Sequence, residues 1–530
     1  MDPYAVPART SDQLIDLVLD TIEMNKQALV FVNTKRSAEK VAEDIAKKLK
    51  TSELGYEKLS KDALRGVSHP TKQCHRLSFC LAKGVAFHHA GLAYAQRELV
   101  EDNFRSGAIK IICCTPSLAV GLDLPAYRAI LRDLKRFGTH GLSWIPILEA
   151  QQMFGRAGRP KYDTEGQAIC VASSEAEKEE IIETYINGEP EAITSKLNVD
   201  PVLRTYLLSL IATDFVHSKE QIQRFFAKTF WAHQFGDMEL LQEKLHRVLD
   251  MLEEWEFLAS SGKDEKLRGG FLSAKEMLER SNGTVRYRAT PLGKRVAELY
   301  IDPLTARKLI DAIVKASAMQ LTAFSFLQLV AQTLEMRPIP KARAKDYDLM
   351  QQLLLEHGTE LLAEEPSLYD PEYQEFINSV RMALVFMEWI EERGEDYLYE
   401  EFLVRPGELK GKIDIADWLL FAIEELSKLL QFKGITRDAA RLRVRLVHGV
   451  REELLALLKL KQIGRVRARR LYSQGIKDIS DVKRADFSTL KSILGEAVAL
   501  SVKDQVGQPL AEEVSLRKRK GQMGLSKYDY

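Results

Sequence analysis

The sequence predicts an α/β domain built on a parallel sheet, followed by mainly α domains: a winged helix, a helical bundle and a helix-hairpin-helix unit. Three observations predict this order. Residues 1–199 alternate short apolar runs with amphipathic stretches of helical period. Residues 200–430 carry the helical period almost throughout. From Lys433 onward, Lys and Arg outnumber Asp and Glu two to one. The 530 residues, 45% of them apolar, suffice for three or four domains with their own cores.

Taken in order, Ala28–Val32 is a short apolar run ending in Asn33-Thr34, the pattern of a buried strand. The helix after it places Ala38, Val41, Ala42, Ile45, Ala46 and Leu49 on one face. Further strands are expected at Gly84–Phe87, Ile109–Cys114, Ala129–Leu131 and Ala168–Ala172. Strands separated by helices imply parallel pairing with helices on both faces. In such sheets ligands bind beyond the carboxyl ends of the strands, where Asn33-Thr34, His88-His89 and Thr115-Pro116 fall. Residues 200–300 are helical and end in a short strand and turn, Tyr287 to Lys294, which fits a winged helix, either structural or DNA-reading. Residues 301–430 read as a helical bundle, 431–515 as a smaller basic helical domain and 516–530 as a basic tail.

Charge is balanced overall, 76 basic against 76 acidic residues, so the basic end is the informative part. Cys74, Cys80, Cys113, Cys114 and Cys170 lack CxxC spacing, and three of them lie in apolar strand-like runs, which suits reduced core thiols in an intracellular protein. No apolar run approaches eighteen residues and no leader pattern is present, so the reading is a cytoplasmic protein without a membrane partner.

The segment richest in chemistry is Gln152-Met153-Phe154-Gly155-Arg156-Ala157-Gly158-Arg159-Pro160, preceded by Thr115–Pro125. Two arginines three apart, separated by small residues, suit gripping a triphosphate from one side. Arginines supplied in this way contribute roughly three to five orders of magnitude to phosphoryl transfer. The opposite wall of such a site needs a glycine-rich loop ending in Lys and Ser/Thr, and an acidic pair for magnesium. No GxxxxGK(S/T) occurs, Lys294 is followed by Arg295, and Asp264-Glu265 sits in a charged loop rather than at a strand end. The expectation is one half of a split ATP site, inactive alone, with Mg2+ held by the absent half.

These residues resemble the second RecA-like domain of superfamily 2 helicases. Phe31-Val32-Asn33-Thr34-Lys35 is similar to motif IV, Phe87 to Leu92 to the segment after it, Thr115–Pro125 to motif V, and Gln152 to Arg159 to the motif VI pattern Q-x-x-G-R-x-G-R. Together with the domains that follow, they identify the chain as resembling the archaeal Hjm-type DNA repair helicases, relatives of the helicase domain of DNA polymerase theta. The resemblance runs from about residue 12 onward and lacks the family's first RecA-like domain. It implies that Arg156 and Arg159 contact the γ-phosphate of ATP, with Arg159 the better finger. It further implies that Gln152 couples nucleotide to DNA, that Gly121 and Asp123 sense nucleotide, and that Thr34 and Thr115 hold DNA phosphates without reading sequence.

Four further segments bear on DNA. Residues 132–146 form two apolar/basic arms around Gly138-Thr139-His140-Gly141, a hairpin signal. In the resembling family a duplex-splitting pin stands here, and Phe137 is the expected stacking residue with Trp144 at the base. Trp418 shares a helical stripe with Ile415, Leu419, Ala422, Ile423 and Leu426, so it is either a core residue or, by resemblance, a ring that stacks on single-stranded DNA. Where the family has an arginine two turns earlier, this chain has Gly411, flanked by Lys410 and Lys412 as phosphate contacts. Residues 454–479 resemble a helix-hairpin-helix, in which the Gly464 turn, Arg465 and Arg467 would bind phosphate at a helix N-terminus. The end of the tail, Gln522, Leu525 and Tyr528, resembles a sliding-clamp motif, although Asp529 interrupts its aromatic pair.

The reading is the C-terminal portion of a 3′–5′ ATP-dependent DNA helicase. It would act on single-stranded and forked DNA in repair and recombination, in the archaeal nucleoid, completed in cis or in trans by the first RecA-like domain. The alternatives are a non-catalytic DNA-binding subunit and an RNA helicase of the same superfamily.

Overall fold

The structure, a computed structural model, describes residues 4–49, 54–65, 67, 70–119, 124–138, 141–158, 163–236, 238–261, 285–319 and 321–507. The chain divides into two compact units, Met1–Leu304 with Gly394–Lys412, and Thr305–Arg393 with Ile413–Tyr530.

The first unit begins with the parallel sheet. Its strands are β1 (Ala28–Phe31), β2 (Val85–His88), β3 (Ile111–Cys114), β4 (Arg128–Leu131) and, after a hairpin of β5 (Lys135–Gly138) and β6 (Gly141–Trp144), β7 (Gln167–Cys170). The order across the sheet is β2-β3-β1-β4-β7 with every pairing parallel. Strands β1 to β4 are buried along their length, as expected where helices cover both faces. Cys74, Cys80, Cys113 and Cys114 are buried and free and Cys170 half-buried; burial pushes the Cys113 and Cys114 thiols well above their ordinary range.

All five strands lie where expected, with ends shifted by one or two residues, and two of the shifts have a physical reading. Ile109 is buried but lies ahead of β3, so the apolar run is longer than the paired segment. Strand β4 starts one residue earlier than the apolar run, on Arg128, whose side chain is fully buried. The charge is accommodated because Asp20, Thr21, Gln167 and the Leu17 carbonyl all accept from its guanidinium.

Helices Asp200–Ala212, Lys219–Phe226 and Met238–Glu254, then the antiparallel pair β8 (Leu258–Ser260) and β9 (Tyr287–Ala289), then helix Pro291–Leu299, make a helix-turn-helix with a wing. Buried Arg204 donates from Nε and Nη2 to both oxygens of Asp302, 2.5 Å each, and so ties the first of these helices to the segment after the last.

The second unit contains most of the helix Pro303–Ala316, helices Ala323–Ala331, Tyr347–His357 and Tyr373–Ile390, most of the long helix Pro406–Leu429, and helix Lys433–His448. The basic domain follows, with helices Arg465–Ser473, Ile479–Arg484, Phe487–Leu494 and Glu496–Gln505 around a core that includes Leu454, Leu457, Ala468, Leu471, Val482 and Val502. Residues 394–412, expected within the bundle, instead pack with the α/β unit. Asp346 anchors the bundle interior. Burial alone would raise its pKa, but bonds from Arg343 (2.8 and 3.0 Å) and Arg381 (2.8 Å) bring it down to about 2. A folded-state pKa below the ordinary 3.8 means stability that is present above about pH 4 and lost as the pH falls towards 2. The stability margin of wild type over Asp346→Asn is therefore expected to shrink by about 2 kcal/mol between pH 5 and pH 2, measured by denaturant unfolding at each pH.

Candidate nucleotide and nucleic-acid site

Adjacent strands β2, β3 and β1 end in register, since Cys114 pairs with both Phe31 and His88. Thr34, Thr115 and His88-His89 therefore come together along one edge of the sheet, at the carboxyl ends where ligands of such sheets bind. Thr34 is exposed and caps the helix Lys35–Lys48: its Oγ accepts the Ser37 N–H at 3.0 Å, which leaves the hydroxyl proton to donate. Thr115 is half-buried, its hydroxyl 2.9 Å from that of Ser117.

Gln152 is exposed on the helix Ile147–Phe154, which ends at Gly155. The chain then runs alongside Ala126: the Ala126 N–H donates to the Arg156 carbonyl at 2.9 Å, and the Gly158 N–H to the Ala126 carbonyl at 2.7 Å. Gly158 has φ +95°, a conformation that side chains resist, and a Cβ on Gly166 would come 2.3 Å from the Gly158 nitrogen. Gly158 and Gly166 thus serve the close passage of two backbones just after Arg156. Arg156 donates from Nε (3.1 Å) and Nη2 to the Ala119 carbonyl, so two of its nitrogens hold the turn Pro116–Ala119 next to Thr115. Arg159, Gly121 and Asp123 lie outside the described residues.

The hairpin β5–β6 pairs Lys135 with Trp144 and Phe137 with Leu142. Its base is held firmly. Lys135 Nζ lies 3.9 Å from the centroid of the Trp144 ring, the Trp144 Nε1 donates to Glu180 at 2.7 Å, and the ring packs edge-on against Tyr185. Asn33, at the end of β1, donates from its backbone N–H to Asp133 and from its side chain to the Lys135 carbonyl. Near the tip, Phe137 is 84% exposed and Leu142 57%, an apolar cross-strand pair with its ring in solvent.

On the helix Pro406–Leu429, Leu419, Ala422, Ile423 and Leu426 are fully buried, while Ile415 and Trp418 are half-buried on the flank of the stripe. Trp418 is thus an edge residue rather than a core one. Its neighbour Asp417 accepts from Arg443 at 2.9 Å, as does Glu424, which lowers the local negative charge. Lys410 is exposed and Lys412 half-buried; burial pulls the Lys412 ammonium below its usual range, against the opposing pull of Glu408.

In the basic domain Gly464 is exposed at the N-terminus of the helix Arg465–Ser473. Arg467 is exposed, with one nitrogen on the Gln462 carbonyl at 2.8 Å. Arg465 is engaged within the protein: its guanidinium lies 4.6 Å from the centroid of the Trp389 ring and donates to the Arg393 carbonyl. Gln522, Leu525 and Tyr528 lie outside the described residues. Among the described residues no cluster of His, Cys, Asp and Glu is suited to hold a metal, and no helix is long and apolar enough to cross a membrane.

One group went unnoticed in the sequence. Glu39, only 1% exposed, accepts from His89, Arg405 and Arg76. Its signal was its place beside Ala38 and Val41 on the apolar face of the helix Lys35–Lys48, where a carboxylate needs a buried partner.

Family models match at three places: the helicase conserved C-terminal domain over residues 67–161, a helix-turn-helix domain over 169–259, and domain 4 of archaeal helicases over 324–449. Similar relatives are each named ATP-dependent DNA helicase Hel308. The one from Methanocella arvoryzae is 38% identical over 94% of this chain and 65% of its own length. That from Pyrococcus abyssi is 36% identical over 96% and 67%, and that from Methanococcus vannielii 34% identical over 95% and 68%. The chain spans about two thirds of the length of these relatives. With a sheet ending in the Thr34 and Thr115 edge, a firmly based hairpin and this similarity along nearly its whole length, the chain belongs to the Hel308 family of ATP-dependent DNA helicases.

Proposed function

We propose that this chain supplies one wall of the ATP site, the duplex-splitting hairpin and the strand-guiding helices of a helicase that moves 3′ to 5′ on forked or branched DNA. The observation that carries the proposal is the hairpin, whose base is locked by Trp144, Glu180 and Asn33 while Phe137 stands in solvent near its tip. A ring so placed can replace the stacking partner that a base loses as the duplex opens, worth about 1–3 kcal/mol.

ATP with magnesium supplies the free energy, and the magnesium ligands belong to the domain that carries the glycine-rich loop. In this reading Arg159 meets the charge developing at the γ-phosphate, Arg156 keeps the 116–119 turn in place, and Thr34 and Thr115 hold backbone phosphates of the tracked strand. Trp418 stacks on a base, Lys410 and Lys412 neutralise phosphates, and Gly464 with Arg467 adds sequence-independent, salt-sensitive contacts. Docking of Gln522, Leu525 and Tyr528 on a sliding clamp is part of the same proposal.

The test is DNA-stimulated ATPase and fork unwinding by this chain alone and after mixing with a RecA-like domain bearing the glycine-rich loop, on matched DNA and RNA forks. The expected result is activity only on mixing and only on DNA. Phe137→Ala should then lower unwinding about 5- to 150-fold while ATPase persists. Robust ATPase by the chain alone would overturn the split-site reading, unwinding of RNA would favour an RNA helicase, and DNA binding without activity on mixing would favour a non-catalytic subunit.

A further inference from the structure

Residues 394–412 are far in sequence from the sheet, yet they pack in the same unit as residues 1–304. Their contact with the carboxyl edge of the sheet is closer than ordinary side-chain packing. The Gly407 N–H donates to the Gly91 carbonyl at 3.1 Å. A Cβ on Gly407 would lie 2.2 Å from the Ala90 carbonyl oxygen and 2.5 Å from that of Leu92, and a Cβ on Gly91 would lie 2.4 Å from Arg405 Cδ. Backbone therefore meets backbone at a place where any side chain would force the two apart.

The polar contacts around this point are built into the core. His89 is fully buried, and its Nδ1 accepts the Gly91 N–H at 3.1 Å, which leaves the proton on Nε2 to donate to Glu39 at 3.2 Å. The same Glu39 oxygen accepts from Arg405 Nε at 3.2 Å, and the other oxygen accepts from Arg76. Lys35, next to Thr34, pairs with Glu408, whose second oxygen accepts the Arg405 N–H at 3.0 Å. The two segments gripped are those that carry Thr34 and His88-His89, at the proposed DNA-phosphate edge. The gripping residues sit at the head of the helix Pro406–Leu429, which carries Trp418 further along the sequence.

We infer that Arg405, Gly407 and Glu408 form a clip that holds the head of the helix Pro406–Leu429 on the phosphate-binding edge of the α/β domain, and that this contact is needed to couple ATP hydrolysis to unwinding. The coupling rests on the helicase reading above; the clip itself does not. Arg405 and Glu408 are positioning residues, which act through Glu39 and Lys35.

The experiment uses the pair Lys35–Glu408, which is about a third exposed and can be changed without emptying the core. The variants are Glu408→Lys, Lys35→Glu and the double swap. In the 530-residue chain, amide hydrogen exchange over residues 404–412 should speed up about fivefold or more in each single variant and return to the wild-type rate in the swap. After completion with the glycine-rich-loop domain, Glu408→Lys should keep DNA-stimulated ATPase and lose unwinding by about tenfold or more, and the swap should recover it. Unchanged exchange in Glu408→Lys would overturn the clip. Faster exchange with ATPase and unwinding falling together, or with neither changing, would overturn the coupling. A Lys35→Glu defect that the swap leaves in place would assign Lys35 to DNA contact and also count against the coupling. Lack of unwinding by the wild type would instead sink the helicase reading, while the exchange result still decides the clip.

Discussion

Arg159→Ala is expected to reduce the DNA-stimulated ATPase of the completed motor by about 10³- to 10⁵-fold while DNA affinity stays essentially unchanged. The reason is that a guanidinium brought to the γ-phosphate stabilises charge present only as the phosphoryl group transfers, so its removal acts on turnover. Arg159→Lys should recover little, because an ammonium is a point charge without the fork that spans two oxygens. Arg156 is predicted to behave differently. Its Nε and Nη2 hold the Ala119 carbonyl, one turn from Thr115, so Arg156→Ala should loosen the 116–119 turn and lower ATPase and DNA affinity together. Steady-state ATPase against DNA concentration, with direct DNA titration, separates the two patterns. If Arg156→Ala alone shows a pure turnover defect and Arg159→Ala shows none, the roles of the two arginines are reversed.

Asp20→Ala is expected to destabilise the α/β domain by about 3–5 kcal/mol. Arg128 is fully buried at the start of β4, between β1 and β7, and Asp20 is the carboxylate that accepts from its guanidinium, at 2.7 Å. Gln167 accepts from Nε, and Thr21 and the Leu17 carbonyl share Nη1 with Asp20, but none of the three supplies negative charge. Removing the carboxylate leaves a cation in a site that water does not reach, and the Tyr4 hydroxyl loses its acceptor as well. Replacing both members together, Asp20→Leu with Arg128→Met, should recover most of the loss, since two apolar groups avoid both desolvation penalties. Urea unfolding of the single and double variants measures this. Equal destabilisation by both would show that packing, not uncompensated charge, dominates the site.

Much of the α/β domain was legible in the sequence because its determinants are local. A strand buried on both faces must be a continuous apolar run, as Ala28–Phe31 and Ile111–Cys114 are, and an amphipathic helix must repeat near 3.6, as Ala38 to Ala46 do. The motif's arginines and small residues were legible as a pattern, but the positive φ of Gly158 emerged only in the structure. The hairpin was legible from its Gly-Thr-His-Gly turn, while the resemblance pointed to Phe137, which the structure leaves 84% exposed.

Tertiary structure decided what depends on partners distant in sequence. Arg128 at the head of β4 made sense only once Asp20 was beside it, because a buried charge is tolerable only with its counter-charge in reach. Trp418 lay on an apolar stripe that suited a core residue or a stacking one, and only the packed helix placed it at the edge. Arg465 read as a phosphate ligand, and only the fold showed its guanidinium on Trp389. The sequence by itself determined the sheet, the hairpin and the family-like motifs, each written in neighbouring residues. It could not determine that residues 394–412 leave the bundle for the sheet edge, because Gly407, Arg405 and Glu408 acquire that meaning only against Gly91, Glu39 and Lys35, more than three hundred positions away.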